Sequence, residues 1–137
     1  MTILGLDIGE KRTGVAISNE VSSLCTPLEY ISSKDNFLEK ISNIIHEKKV
    51  EKIIIGLPKL LSGKEGERAK VSRSISHLIK SNHKSIKVIL WDERLTTKQA
   101  EKYLLETISN KRKIKEKIDS VSAVLILENY LASKGRL

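Results

Sequence analysis

At 137 residues the chain has the length of one domain able to bury a core without disulfide or metal staples. Lys and Arg outnumber Asp and Glu by 25 to 17, a formal net charge of +8 that favours a polyanionic partner. Aromatic residues make up only 4%, which argues against a stacking platform for single-stranded bases and leaves recognition through phosphate and shape. The lone Cys25 excludes an internal disulfide and fits a small buried residue in a reducing compartment. Residues 1–19 lack the charged start and long apolar core of a signal peptide, and no run approaches the ~20 apolar residues that span a bilayer. The expectation is a soluble cytoplasmic protein, a single domain over residues 1–137 that uses no membrane.

In chain order, an apolar run rich in β-formers leads to Asp7; Gly9 allows a tight reversal, and Val15-Ala16-Ile17 starts a second strand after Gly14. Residues 23–31 read as a third strand, placed at an edge by Pro27. Phe37, Leu38, Ile41, Ile44 and Ile45 recur at helical spacing behind Ser32, Ser33 and Asp35, and Lys48 and Lys49 suit the negative pole of that helix. Residues 50–56 are β-branched and nearly continuous in their apolar half, as in a central strand covered on both faces. Ser62-Gly63-Lys64-Glu65 resembles a capping box for a second helix, with Val71, Ile75, Leu78 and Ile79 as its inward stripe and Gly66 loosening its first turn. Residues 86–91 form a further strand ending at Asp92-Glu93-Arg94, and a second capping box at Thr96 to Gln99 opens a helix through Ile108. Residues 109–117 read as a mobile basic loop, and from Ile118 a last helix carries Asp119 in its first turn. Hairpins first and crossovers later give an α/β domain, a mixed sheet with helices on both faces.

Three acidic positions share a topological property. Asp7 ends the first strand, Asp92 and Glu93 end the fifth, and Asp119 opens the last helix, whose dipole would favour an ionised carboxylate. Sites in open α/β sheets form outside the carboxyl ends of the strands, so these acids can converge. Clustered carboxylates repel, and a bound divalent metal relieves the repulsion. Mg²⁺ suits such an oxygen set, and two ions about 4 Å apart would activate a water and stabilise the leaving oxygen of a phosphodiester. Strand alternation on its own leaves open which of Asp92 and Glu93 points inward.

These residues also carry a family likeness. Gly5-Leu-Asp7-Ile-Gly9-x-Lys11-Arg12-x-Gly14-Val-Ala, Gly56-Leu-Pro58, Gly63-x-x-Gly66, Asp92-Glu93-Arg94-Leu-Thr96-Thr97-x-x-Ala100 and Ile118-Asp119-Ser120-x-x-Ala123 together resemble the YqgF family, also called RuvX, in order over nearly the whole chain. The resemblance implies a ribonuclease H-like fold, a five-stranded mixed sheet in the order 3-2-1-4-5 with strand 2 antiparallel. It further implies a metal-dependent nuclease, using Mg²⁺ with Mn²⁺ as an alternative, that processes the 5′ end of pre-16S ribosomal RNA in ribosome biogenesis or cuts branched DNA as Holliday junction resolvases do. Position by position, the acidic triad falls on Asp7, Glu93 and Asp119. Asn19 and Ser122 depart from the family's frequent Asp and Ala, and the first departure weakens any case for a further acidic ligand near strand two.

Lys11 and Arg12 beside Asp7, Arg94 after the acidic pair, and the run Lys111, Arg112, Lys113, Lys115 and Lys117 are the candidate nucleic-acid contacts. Each has a plainer role to set beside it: a solvated turn, a salt bridge to Asp92, a soluble loop. The Gly63-x-x-Gly66 loop could present amide groups to a phosphate or be an ordinary strand-to-helix turn. Trp91 reads as core, and His46, His77 and His83 show no metal-ligand spacing. A non-catalytic nucleic-acid-binding assembly factor is the competing class. Asp7-x-Gly9 with Gly14 also resembles the phosphate turn of actin-like ATPases, but those close two such domains around ATP and this chain has length for one. The expected partner is nucleic acid, and the resemblance puts an rRNA precursor ahead of branched DNA, with monomer and homodimer both open.

Overall fold

The first two β-rich stretches pair across a turn that Gly9 makes possible. Strands β1 (Thr2–Ile8) and β2 (Arg12–Asn19) are antiparallel, with Asp7 opposite Gly14. The Gly9 N–H donates to the Arg12 carbonyl at 2.9 Å, and a Cβ on Gly9 would lie 2.4 Å from that same oxygen, so the reversal admits no side chain there. This computed structural model describes residues 1–19, 24–60, 62–92 and 111–133, the last span in backbone alone as far as residue 119.

Strands β3 (Cys25–Ser32), β4 (Val50–Leu57) and β5 (Lys87–Asp92) complete a five-stranded sheet in the order β3-β2-β1-β4-β5. Strand β2 is antiparallel to both neighbours, whereas β1, β4 and β5 run parallel, so all three end at the same edge. Strand β3 lies at the margin, where Pro27 forfeits a ladder donor at least cost. Residue 23, where that strand was expected to begin, lies outside the described residues.

Side-chain alternation divides the core in two. Leu4, Leu6, Ile8, Val15, Ile53, Ile55 and Val88 face helices α1 (Phe37–Lys48) and α2 (Glu67–Asn82), packing on Phe37, Ile41, Ile45 and Ile79. Ile3, Ala16 and Ile54 face helix α3 (Lys111–Ser133), packing on Ala123, Val124, Leu127 and Leu131.

Helix α1 follows its spacing, but its start signal works differently from a cap. Asn36 at the N-cap is left-handed (φ 54°) with no side-chain cap, and Ser32 Oγ accepts the N–H groups of Lys34 and Asp35 a turn earlier. Helix α2 corrects two expectations. It begins at Glu67 behind Gly66 rather than after a capping box, because the chain before it is tied into its own turn, with Leu60 N–H bonded to the Lys64 carbonyl, Gly63 N–H bonded to the Leu60 carbonyl and Gly63 at φ 89°. Of the expected stripe Ile75 and Ile79 do pack on the core, but Val71 and Leu78 are 51% and 47% exposed, and the buried face runs through Ala69, Ser72, Ser76 and Ile79. Small side chains let this helix lie close on the sheet, and that outweighs the larger apolar residues one position away.

The expected basic loop is corrected as well: residues 111–117 belong to α3. That run contains neither Gly nor Pro, and Lys, Arg, Glu and Ile all tolerate helix, so charge alone does not end it. Asp119 therefore sits in the third turn instead of the first, and the helix-dipole argument for its ionisation lapses. The helix expected over residues 96–108 lies outside the described residues.

Glu128 on α3 is partly buried, and desolvation raises its carboxyl pKa from the ordinary value of 4.5. A folded-state pKa above the unfolded one means that the stabilising contribution is complete below the unfolded value and is lost as pH rises through the folded value. Glu128→Gln, which mimics the protonated carboxyl, is expected to raise the melting temperature at neutral pH and to change it little near pH 3, as thermal melts across that range would show.

Candidate active site

The parity of β1 fixes where Asp7 points. Ile3 packs on α3, and a Cβ built on Gly5 would meet Leu127 Cγ at 2.5 Å and the Ala123 carbonyl at 3.1 Å. Asp7, two residues further, therefore faces the α3 side at the strand's carboxyl end, where it is partly exposed.

Helix α3 runs antiparallel to β1. Tyr130 near its end accepts a hydrogen bond from Lys52, which pairs with Ile3, whereas Ser120 in its third turn reaches β2 and β3 at the level of Leu6. Ser120 Oγ donates to the Leu28 carbonyl at 2.7 Å and accepts the Val15 N–H at 3.4 Å. Asp119 adjoins this anchored residue and lies one turn before Ala123, so the helix brings its backbone to the end of the sheet that holds Asp7. Ser120 is 2% exposed, so Ser120→Ala should destabilise the fold by about 1–2 kcal/mol by stranding buried polar groups, measurable as a lower urea midpoint at unchanged m-value.

On β5, Ile89 and Trp91 pack on the α3 side, with Trp91 edge-on to Tyr130 at 5.5 Å, and Val88 and Leu90 pack on the other. Asp92 shares the parity of the second pair and so faces away from Asp7's side of the sheet. Only β4 separates β1 from β5, which puts the two strand ends about 10 Å apart.

The β1–β2 turn is held from both flanks. Ser33 donates its N–H to the Lys11 carbonyl at 2.9 Å and its hydroxyl to the Gly9 carbonyl at 2.7 Å, and its Oγ lies 2.8 Å from the buried Thr13 Oγ1. From α2, Arg68 Nη2 donates to the Ile8 carbonyl at 3.2 Å. Arg12 lies over the Tyr30 ring with its Cζ 4.9 Å from the centroid, a cation–π contact. An open cleft of about 550 Å³ runs between this turn and the first turns of α2, lined by Lys11, Arg12, Arg68, Glu10, Glu67 and Val71 among others.

The model of a family described as "RuvX: Holliday junction resolvase" matches residues 1–133. The chain belongs to the RuvX family. A relative from Sulfurihydrogenibium sp. (strain YO3AOP1), named "Putative pre-16S rRNA nuclease", is 49% identical over 131 residues, covering 94% of this chain and 88% of the relative. Among solved structures, the Fowlpox virus resolvase bound to Holliday junction DNA superposes with a TM-score of 0.62 at 19% identity, over 96% of this chain and 99% of the resolvase. RuvC of T. thermophilus with its Holliday junction substrate gives 0.62 at 15% identity, over 99% and 98%. At such identities the likeness is one of fold, and it agrees with the strand order: this RuvX chain has the ribonuclease H-like sheet.

Of the positions singled out from the family pattern, the fold brings Asp7 and the backbone of Asp119 to one end of the sheet and places Lys11 and Arg12 at the cleft. Glu93 and Arg94 lie outside the described residues, as do the side chains of Asp119, Lys111, Arg112 and Lys113. Among the described residues no three His, Cys, Asp or Glu side chains are grouped to hold a metal, and those residues include only Asp7 of the triad's side chains. The pattern overlooked Arg68 and Ser33. Ser33 had registered as a helix start signal, and Arg68 carried no signal beyond its charge, because the contacts of both depend on the turn's tertiary position. Among the described residues no helix is long and apolar enough to cross a membrane.

Proposed function

We propose that this RuvX chain is a metal-dependent nuclease that hydrolyses phosphodiester bonds, working as one domain over residues 1–137. The observation that carries the reading is the facing of Asp7, at a strand's carboxyl end and on the α3 side, where the helix register also delivers the Asp119 backbone. Asp7, Glu93 and Asp119 would hold the ion. Glu93 is preferred to Asp92 because alternation turns Asp92 toward the opposite face. A carboxylate set of this kind suits Mg²⁺, and Mn²⁺ accepts the same oxygen donors. The bound metal supplies an activated water and a counter-charge for the departing oxygen. The protein's part is positional: β1 fixes the Asp7 backbone through its register with β2, and Ser120 ties α3 to the sheet one residue from Asp119.

The name of the curated relatives favours a pre-16S ribosomal RNA as substrate, and we take the reaction to be processing of its 5′ end in the cytoplasm. The family description favours branched DNA instead, which would call for a two-fold dimer making paired cuts, while RNA trimming needs only a monomer. Lys11, Arg12 and Arg94 are assigned to the substrate backbone, with Lys111, Arg112 and Lys113 on the first turn of α3. One experiment separates these readings: structured precursor RNA, single-stranded RNA and a four-way DNA junction are each incubated with and without Mg²⁺, using wild type and Asp7→Asn. Metal-dependent cleavage of the precursor RNA, lost in the variant, is the expected result. Cleavage of the junction alone would favour the resolvase, and no cleavage of any substrate would leave an assembly factor.

A further inference from the structure

The cleft on the α2 side of the sheet is chemically distinct from the Asp7 side and is not needed to hold a metal. Its cationic groups come from separate elements: Lys11 from the β1–β2 turn, Arg12 from the start of β2 and Arg68 from α2. Arg68 uses one nitrogen, Nη2, on the Ile8 carbonyl, and no other hydrogen bond of its guanidinium occurs among the described residues. The side chains of Lys11 and Arg68 are exposed toward the cleft. Glu10 and Glu67 also line it, but Glu67 is engaged at 3.3 Å by Lys70 on the helix surface, so the cations prevail locally.

The second feature is rigidity. Three of the four backbone carbonyls from Ile8 to Lys11, those of Ile8, Gly9 and Lys11, are capped by Arg68 and Ser33, and Gly9 cannot accept a side chain. A turn fixed in this way holds Lys11 at a set distance from Arg68 before any ligand arrives. Such preorganisation reduces the ordering cost of binding. A solvated turn would not require two anchors from different elements.

We propose that this cleft grips a backbone phosphate of the nucleic-acid substrate away from the bond that is cut, with Arg68 and Lys11 as the contacting groups and Ser33 as the residue that positions the turn. The proposal rests on the nuclease reading and deepens it. Arg68 has a double task, since it steadies the carbonyl next to Asp7 and presents its remaining donors to the phosphate. The guanidinium geometry suits a phosphodiester oxygen pair better than an ammonium does. The sugar is not read, so RNA and DNA backbones should both be held.

The test measures equilibrium binding of a 20-nucleotide RNA hairpin and of a DNA hairpin of the same length, without divalent metal, over a range of salt concentrations. Compared are wild type, Arg68→Gln, Arg68→Lys, Lys11→Gln, Ser33→Ala and the control Lys80→Gln at the far end of α2. Losing one phosphate contact should lower the slope of log affinity against log salt by about 0.7–0.9. Arg68→Gln and Lys11→Gln are each expected to show that drop and roughly fivefold weaker binding at 0.1 M salt. Arg68→Lys should recover the salt slope but only part of the affinity, and Ser33→Ala should weaken binding with the salt slope retained. Thermal melts check folding, and should Arg68→Gln melt early, Lys11→Gln decides, because the Lys11 side chain makes no hydrogen bond or ion pair among the described residues. Equal slopes for Arg68→Gln, Lys11→Gln and Lys80→Gln would overturn the proposal, as would a drop for RNA only, which would mean that the sugar is read. Cleavage by wild type and its loss in Asp7→Asn are scored separately with Mg²⁺, so the cleft can fail while the nuclease stands.

Discussion

Asp7→Asn is expected to lower metal-dependent cleavage by about 10³-fold or more while leaving the fold and the affinity for nucleic acid in place. The substitution keeps the size of the side chain and the β1 backbone with its Asp7–Gly14 register, so nothing in the sheet must move. What changes is the donor: a carboxylate with two anionic oxygens becomes an amide with one neutral oxygen. Metal-assisted hydrolysis depends on several kcal/mol of charge stabilisation at the reacting phosphate, and each 1.36 kcal/mol is a factor of ten, which sets the expected scale at about three decades. Single-turnover rates at saturating Mg²⁺ measure the effect, with metal-free binding as the control. A variant that still cleaves within tenfold of wild type would remove Asp7 from the site. The same assay resolves the adjacent acids on β5. Asp92 shares the parity of Val88 and Leu90, so Asp92→Asn should change the rate less than tenfold, whereas Glu93→Gln should approach Asp7→Asn.

That contrast also shows where the sequence was informative. The full strand order came from the family resemblance, whereas the placement of Asp7 at a strand end and of β3 at an edge could be read because they depend on short-range signals: a β-rich run, a Gly9 reversal and an edge-seeking Pro27. Helical periodicity located α1 for the same reason. It misled at α2, where the face was chosen by how closely Ala69, Ser72 and Ser76 approach the sheet rather than by the bulk of Val71 and Leu78. It also misled at residues 111–117, because a basic run has the composition of a loop and the backbone propensity of a helix. Which face Asp92 takes depended on where Trp91 packs, a tertiary fact. Arg68 and Ser33 could not be found at all without the turn that they hold. Local chemistry thus located the carboxylate at a strand end, and only the packed structure showed what surrounds it.

Gly5→Ala is expected to destabilise the protein by about 1–3 kcal/mol although it places a better strand former in the middle of a strand. An interior glycine ordinarily costs about 0.5–1 kcal/mol relative to alanine, so the change would be favourable if space allowed. Space does not allow it: the added Cβ would lie 2.5 Å from Leu127 Cγ and 3.1 Å from the Ala123 carbonyl. The second is backbone, and the first belongs to a fully buried side chain whose neighbours leave no room for another rotamer, so α3 must lift from the sheet. Overpacking of that kind costs about 1–3 kcal/mol. The lift would be felt beyond stability, because α3 carries Ser120 and Asp119 against the end of β1. A misplacement of about 1 Å can cost 10²-fold in rate, so cleavage by the folded fraction should fall more than the melting temperature implies. A double-mutant cycle isolates the contact. Leu127→Ala alone should cost about 2–5 kcal/mol as a cavity. In the Gly5→Ala background it should cost less, because the new methyl group occupies part of that space, and a favourable coupling measured by urea denaturation would tie the loss to this one approach of helix and strand. Strict additivity would show that α3 does not rest on Gly5.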